Sequence, residues 1–472
     1  MTFSSRIRFV ARACYEAARW RPGRPRIPTT YQDPRMDLDK ATRQRLQEKA
    51  RYWERNCALV GRLADVFECY TVGSGLQVNP SSSDSAWNEA AKGWWRIWER
   101  FADVSSRQTF GTLQGLLARS WFVDGEVFVL LTQGGAPGGR AGRPRLQLIE
   151  AHRCETPPDR AKDEGVSIVD GVEIDPGNFR PTGYWIWQPA KGGTKEFRLI
   201  PAESVIHVFE PSRPGQYRGL PFFTSALNTI DDLDELKRLE MKAARAAAVV
   251  ANIIKTQSGE VNPLDLIASG GAVTESSTTG EVAAYQEKLG GETLVLKSGE
   301  ELAQFQSNRP SVVTREYWRD LQAEVCASAG IPAVLVYPDQ MQGTQYRGSL
   351  DMAAAFFRSR SAVMQEVVRR IYEYVMGSSR NTEKELRGSP DDYFAVSIQP
   401  PRSVNVDVGR NSSAMLAELA AGATNFEMVY GPQGLDWREE MKKLSDQLAY
   451  AESLGIKLPF LNGAKPAGGI PQ

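Results

Sequence analysis

Apolar positions along the chain change period several times, and each change marks a change of element. Residues 37–70 lack proline, carry glycine only at Gly61, and repeat apolar side chains at helical spacing through Leu59, Leu63, Val66 and Cys69 or Tyr70. Two helices are predicted there, meeting near Asn56. The stretch TVGSGLQVNPSSSD ends the second with glycines and a polar turn, and Trp87, Trp94, Trp95 and Trp98 then mark an amphipathic helix to about residue 103. Tryptophans at this spacing suit core packing better than stacking on nucleobases. After LQGLLARSWF the pattern turns to short strands: GEVFVLLTQ, RLQLIEA, VSIVDGVEID, TGYWIWQ, EFRLIP and SVIHVFE. Asp170 and Gly171 between apolar residues form a two-residue hairpin signal, and GGAPGGRAGRP reads as a flexible loop. This is a β-rich stretch of an α+β protein.

The helical period returns after HVFEPSRPGQYRGLPFF. Leu227, Ile230, Leu233, Leu236 and Leu239 recur every three residues, so at 3.6 residues per turn the apolar surface drifts by about 60° per step. With Ala243, Ala244, Ala246, Ala247 and Ala248 behind them, they suit a helix packed between neighbours on more than one side, although an ordinary buried helix has the same periodicity. Residues 256–310 form a polar, strand-containing insertion, with GGETLVLKSGEELAQF as its clearest strand-turn-strand segment. A second helix, SVVTREYWRDLQAEVCASAG, has Ser311 as N-cap, Tyr317, Leu321 and Val325 on one face, Gly330 as its stop and Pro332 beyond. The loop IPAVLVYPDQMQGTQYRGS runs for about 18 residues, a length that belongs to functional or disordered loops. A third helix follows, stopping at Gly377. YFAVSIQPP and two or three helices from about 409 to 454 read as a separate C-terminal region with a Pro/Gly-rich tail.

Composition narrows the classes. At 472 residues and 42% hydrophobic content the chain can bury a large core, with about two to four domains expected. Lys+Arg and Asp+Glu both total 57, so no global charge excess points to nucleic acid or membrane. The five cysteines are scattered and never spaced C-x-x-C, which argues against a disulfide framework and structural zinc, and for a reducing compartment. No run of about 18 apolar residues offers a membrane span, and a cytoplasmic, soluble chain is expected. The start is compositionally odd: Arg6, Arg8, Arg12, Arg19, Arg21, Arg24 and Arg26 stand against Glu16 alone. A presequence, a nucleic-acid arm, an arm packed on a neighbouring subunit and a solvated basic tail all remain open.

Catalytic chemistry has little material. Only His152 and His207 exist. His207 alternates with apolar residues and reads as a half-buried strand histidine, and His152 with Cys154 lacks a third group to orient or ligate. No G-x-x-x-x-G-K-[ST] loop occurs, so ATP hydrolysis is not expected, and neither a cofactor nor a metal site is predicted. Asp231, Asp232, Asp234 and Glu235 fall at a predicted helix N-terminus, where the dipole favours acids, and Asp234 can pair with Arg238. Residues alone leave RPGQYRGLP open as a phosphate-binding loop or a mechanical joint.

Several segments together resemble the lambda-like portal proteins of tailed bacteriophages: LQEKARYWERN with TVGSGLQV, FVDGEVFV, LQLIEAHR, SIVDGVEID, VIHVFEPSRPGQYRGLPFFTSALNTIDDLDEL and CASAGIPAVLV. They span about residues 40–340 in order, and RPGQ-RG-P is the most specific. One departure is TQYRGSLDMAA, where the family pattern has an Asn-Tyr-Ser-Ser-Ala-Arg-like run. The resemblance implies a non-enzymatic ring, usually of twelve subunits, at one capsid vertex, through which double-stranded DNA is packaged and ejected. It further implies an α+β portal fold: basic arm 1–36, β-rich wing 37–220, stem helix 221–248, small α/β clip 249–310, stem helix 311–330, tunnel loop 331–347, channel helix 348–377, and helical crown with tail 378–472.

Arg213, Pro214, Gly215, Arg218, Gly219 and Pro221 would then form the wing–stem joint, with prolines fixing φ, glycines turning tightly and arginines holding carboxylates or carbonyls. Gln340, Gln342, Gln345, Tyr346 and Arg347 would face DNA, Arg347 as the phosphate partner. Asp231, Asp232, Asp234 and Glu235 would suit a channel lining that lets DNA slide. Implied partners are copies of the chain, the terminase large subunit, a head–tail adaptor, and major capsid and scaffold proteins, with assembly in the host bacterial cytoplasm and a place in the virion. A basic-arm nucleic-acid binder and a monomeric enzyme around His152, Cys154 and His207 are the alternatives.

Overall fold

Local capping decides where the first helices begin. Helix α1 (Pro34–Asp37) is a single turn, and α2 (Lys40–Asn56) starts where the Asp39 carboxylate accepts the Thr42 amide at 2.8 Å. Helix α3 (Ala58–Thr71) follows one residue later, so the helical run does break beside Asn56. Helices α4 (Ser85–Trp98) and α5 (Phe110–Asp124) are capped by Asp84 and Thr109. The computed structural model describes residues 33–134, 142–190, 192–249, 312–337, 344–401, 408–431 and 435–455, and four short strands between 252 and 296.

Strands β2 (Glu126–Gly134), β3 (Arg143–Glu150) and β8 (Val205–Phe209) form one antiparallel sheet with β2 central. A second antiparallel sheet orders β4 (Ile168–Val169), β5 (Val172–Ile174), β6 (Pro181–Pro189) and β7 (Lys195–Pro201) sequentially. Asp170 (φ 45°) and Gly171 (φ 84°) make the tight β4–β5 turn, both left-handed as a two-residue hairpin of this kind requires. Phe128 and Ile149 from the first sheet meet Val172, Ile174, Tyr184 and Ile186 from the second in a small apolar core.

A larger core joins α2–α5 to the outer face of the first sheet. Trp95 lies 4.6 Å from Trp98, 5.5 Å from Phe110 and 5.4 Å from Tyr372 between ring centroids, and the indole N–H of Trp98 donates to the Pro144 carbonyl at 2.9 Å. The tryptophan helix is a packing element. Because α2–α5 fill residues 40–124, the β-rich description of the wing fits only residues 126–209.

Helix α6 (Leu227–Val249) begins after a 3-10 turn at Thr224–Ala226, six residues beyond the expected 221. Strands β9 (Asn252–Lys255) and β12 (Thr293–Leu296) pair in parallel, and β10 (Ala272–Glu275) with β11 (Val282–Tyr285) antiparallel. The expected strand after residue 296 lies outside the described residues. Helix α7 (Val312–Ser328) returns beside α6: the hydroxyls of Ser225 and Ser328 lie 2.6 Å apart, and Thr229 donates to Glu324 at 3.3 Å.

Helix α8 (Thr344–Ser379) starts four residues before the expected 348 and runs through Gly377, which is not its stop. It buries Ala353, Phe357, Met364, Val368, Ile371, Tyr372 and Val375 against the large core. The region beyond α8 is not separate. Strand β13 (Val396–Gln399) pairs antiparallel with β1 (Gln77–Pro80), Arg143 holds Glu383 at 2.8 and 3.0 Å, and Leu386 is fully buried. Helices α9 (Val408–Ala420), α10 (Phe426–Tyr430) and α11 (Trp437–Ser453) complete the described chain, α11 being tied to α4 by Lys92 and Arg96 on Glu439. Among the described residues no helix is long and apolar enough to cross a membrane.

Candidate functional site

Charged residues are expelled from cores unless paired, so the chain's most informative place is where several are sealed together. Glu126 opens β2 just after α5 ends at Gly125, and its carboxylate is fully buried. Arg218 closes on it from the joint: Nη2 donates to Oε1 at 2.6 Å and Nε to Oε2 at 2.9 Å. The same Oε2 accepts the Gly219 amide at 2.9 Å. Arg218 also donates to three backbone carbonyls: Ala151 at 2.9 Å, Cys154 at 3.0 Å, and Asp170. One guanidinium thereby ties the joint to the start of β2, the segment after β3 and the β4–β5 turn.

A second arginine completes the charge balance. Arg43 on α2 is wholly buried, pairs with the Asp170 carboxylate and donates to Gln47 Oε1 at 2.7 Å, while Gln47 donates to the Asp124 carbonyl at 2.9 Å. Arg43, Arg218, Glu126 and Asp170 carry two charges of each sign. His207 on β8 adds none: burial pulls it below its ordinary value, against the pull of Glu126. Its Nε2 lies 3.0 Å from Glu126 Oε2, which makes Nε2 the protonated nitrogen because an ionised carboxylate only accepts. The ring is stacked between Phe128 and Phe209 at centroid separations of 4.2 and 4.3 Å. Burial would raise the Glu126 carboxyl, but Arg218, His207 and Arg43 outweigh it and hold it well below the ordinary range. Burial would likewise lower Arg218, yet Glu126 and Asp170 keep it firmly charged.

Two glycines let the backbones meet here. A Cβ on Gly125 (φ 80°) would lie 2.0 Å from the Leu220 carbonyl carbon, and one on Gly219 would lie 2.1 Å from the Gly125 oxygen. The end of α5 and the joint therefore touch main chain to main chain.

The other expected joint residues lie further out. Arg213 is exposed and pairs with Asp37, Pro214 is exposed, Gly215 faces the Pro34 ring, and Pro221 is buried where the 3-10 turn begins. Of the acidic group, Asp231 accepts Lys49 at 2.9 Å and the Trp53 indole at 2.8 Å, and Asp234 pairs with Arg238 at 2.7 Å. Asp232 and Glu235 are exposed. None of the four stands in the first turn of α6, where the dipole would act, because the helix starts at Leu227. Gln340 and Gln342 lie outside the described residues. Gln345, Tyr346 and Arg347 stand in the first turn of α8, not in a loop, with Tyr346 partly buried.

The sequence reading missed Glu126, Asp170, Arg43 and Asp124 as partners. Their signal is a charged residue at the edge of an apolar run: Asp124 and Glu126 flank Gly125 in WFVDGEVFVLL. A catalytic role for Cys154 finds no support, since burial pushes its thiol up to about 12 and keeps it protonated. Among the described residues no three His, Cys, Asp or Glu side chains are grouped to hold a metal ion.

A long helix leaving a charge-locked corner, returning after a small strand module and followed by a helix across the core, defines a structural scaffold. The family model described as phage portal protein, lambda family, matches residues 26–359, most of the chain, and the chain belongs to that family. Portal proteins are structural, non-enzymatic phage components. The chain is 26% identical over 211 residues to portal protein B of Escherichia phage lambda, covering 40% of this chain and 38% of the relative. It is 28% identical over 167 residues to a probable portal protein of Halomonas phage phiHAP-1, covering 34% and 32%. For the portal protein of Escherichia phage N15 the identity is 27% over 226 residues, covering 44% and 41%. These matches thus span about a third to two fifths of each relative's length. A chain from the neck of an empty gene transfer agent particle, with C6 symmetry, aligns at a TM-score of 0.44 and 13% identity, covering 82% of this chain and 93% of that one.

Proposed function

We propose that copies of this chain form a ring at a single capsid vertex, serving as the channel for DNA packaging and ejection and as the docking platform for terminase and head–tail adaptor proteins. Family membership across residues 26–359 is the observation that carries this reading. In it, residues 33–220 with β13 form the wing, α6 and α7 the stem, the four strands between 252 and 296 the clip, and α8 the helix beside the channel. The Arg218–Glu126 lock holds the stem at a fixed angle to the wing, because three backbone carbonyls and one carboxylate share a single guanidinium. Gln345, Tyr346 and Arg347, in the first turn of α8, keep the role of DNA contacts, together with Gln340 and Gln342. Of the four acids expected on the outgoing stem helix, Asp232 and Glu235 are exposed; Asp231 and Asp234 are held by Lys49, Trp53 and Arg238.

Electron microscopy of the purified protein, with its mass measured in solution by light scattering, tests the reading. Rings of about twelve copies with an open axis are expected, since closed cyclic assemblies arise when one heterologous contact repeats. A monomer under all conditions of salt and concentration overturns it.

A further inference from the structure

The first described residues are held firmly against two neighbours. Gly215 faces the Pro34 ring, Arg213 pairs with Asp37, and Arg35 donates to the Gly165 carbonyl at 3.4 Å. Asp33 is extended (φ −60°, ψ 138°), as suits a residue before proline. The basic arm, residues 1–32, therefore joins the fold beside the joint and beside Gly165.

A groove opens at that point. It has a volume of about 690 Å³ and runs between the start of α2 and residues 156–170. Leu38 and Ala41 form one apolar wall, and Pro157, Pro158, Ala161 and Val169 form the other. Of its charged residues, Arg35 is paired with Asp33, Lys40 with Glu155 and Asp170 with Arg43. Asp39 and Glu164 are exposed and pair with no cation among the described residues. The groove is thus apolar within and acidic at its rim.

The sequence just upstream has the matching chemistry. RPRIPTTYQ, residues 24–32, places Ile27, Pro28 and Tyr31 directly after Arg24 and Arg26. Pro28 favours an extended Ile27, and in an extended chain Ile27 and Tyr31 fall on the same side. The groove wall from Leu38 to Gln44 is about 9 Å long along α2, a distance roughly three extended residues span, so residues 27–31 have the reach to cross it from Asp33. The family match begins at residue 26, seven residues before the described chain, so the domain the family shares takes in this segment.

We infer that residues 26–31 dock in this groove of their own chain, with Ile27 and Tyr31 on its apolar walls and Arg26 toward Asp39 and Glu164. Attachment at Asp33 favours this occupant over any free peptide, because a short tether gives an effective concentration in the millimolar range. Docked there, the segment lies over Asp170 and shields the charge network of the joint from water. The inference holds whether or not copies of the chain form a ring.

Trypsin tests it in the full-length protein, at a dilution where light scattering gives the mass of one chain. The arm offers one bond inside the contact, after Arg26, and one outside it, after Arg19, whereas prolines follow Arg21 and Arg24. Each cleavage rate is read by mass spectrometry and divided by the rate for the same bond in a synthetic peptide of residues 15–32. Cleavage tracks the population of the open form, so the bond after Arg26 is expected to be cut about tenfold more slowly than the bond after Arg19. Ala41→Trp and Ala161→Trp fill the groove from opposite walls at exposed positions, and each is expected to bring the two rates within about threefold at an unchanged melting temperature. Equal rates in the wild type overturn the inference. Protection that survives in both filled variants places the segment elsewhere and overturns it as well. Protection seen only in assemblies assigns the groove to the arm of another copy, and docking within the chain fails.

Discussion

The segment from Arg213 to Pro221 and the outer half of α6 treat charge in opposite ways. At the joint every formal charge has its counter-charge within the same chain: Arg218 on Glu126, Arg43 on Asp170. On α6 the chain leaves Asp232, Glu235, Lys237 and Arg245 exposed to water. Burial explains the difference, because a sealed charge without a partner costs several kcal/mol whereas an exposed one costs almost nothing. The joint closes its charges by folding, whereas the outer half of α6 keeps its charges at the surface.

Each region can be broken separately. The largest expected effect is from Gly125→Ala, whose new methyl would meet backbone in a left-handed conformation that alone costs roughly 1–2 kcal/mol. Soluble yield and circular dichroism should show that the corner no longer forms. Glu126→Gln keeps the shape but leaves two buried arginines, Arg218 and Arg43, on the single carboxylate of Asp170, and denaturant unfolding should show a loss of about 3–5 kcal/mol. Arg218→Met with Glu126→Gln should recover part of that loss, since removing both charges removes the uncompensated one.

Acid should act on the joint through His207 first. Its folded value lies below its ordinary 6.5, so the stability gained by keeping it neutral is complete above that pH and is lost as pH falls below it. Glu126, also depressed, adds a second loss below its ordinary 4.5. Melting temperature measured from pH 7 to pH 4 should fall progressively, and His207→Gln should flatten the upper part of that fall. The smallest effect belongs to Arg213→Ala: its pair with Asp37 is exposed, and thermal unfolding should register no more than about 1 kcal/mol.

Local signals in the sequence predict local structure well here. Asp-Gly between apolar residues gives the β4–β5 hairpin, and the break beside Asn56 separates α2 from α3. Pairings across long separations leave no such mark. Arg218 reads as a joint arginine, but its partners lie 92 residues away at Glu126 and 48 away at Asp170. Strand β13 is four residues long and finds β1 far back in the chain, so the C-terminal region reads as separate when it is not. Helix α8 starts early because TQYRG contains no proline to stop it, and a loop's composition is not a loop's length. The uneven burial of α6 is visible in its drifting apolar period only once the core that covers its first half is known.

The pairing of β1 with β13 also sets a timetable. Residues 77–80 meet their partner strand only after roughly 300 further residues have been made. At about 5–20 residues per second this is a wait on the order of tens of seconds, during which β1 shows an open strand edge. A chain cut short before residue 396 lacks the strand that closes it. Residues 396–399 thereby act as proofreading at the level of the whole molecule: only a chain translated past them can cover the edge of β1.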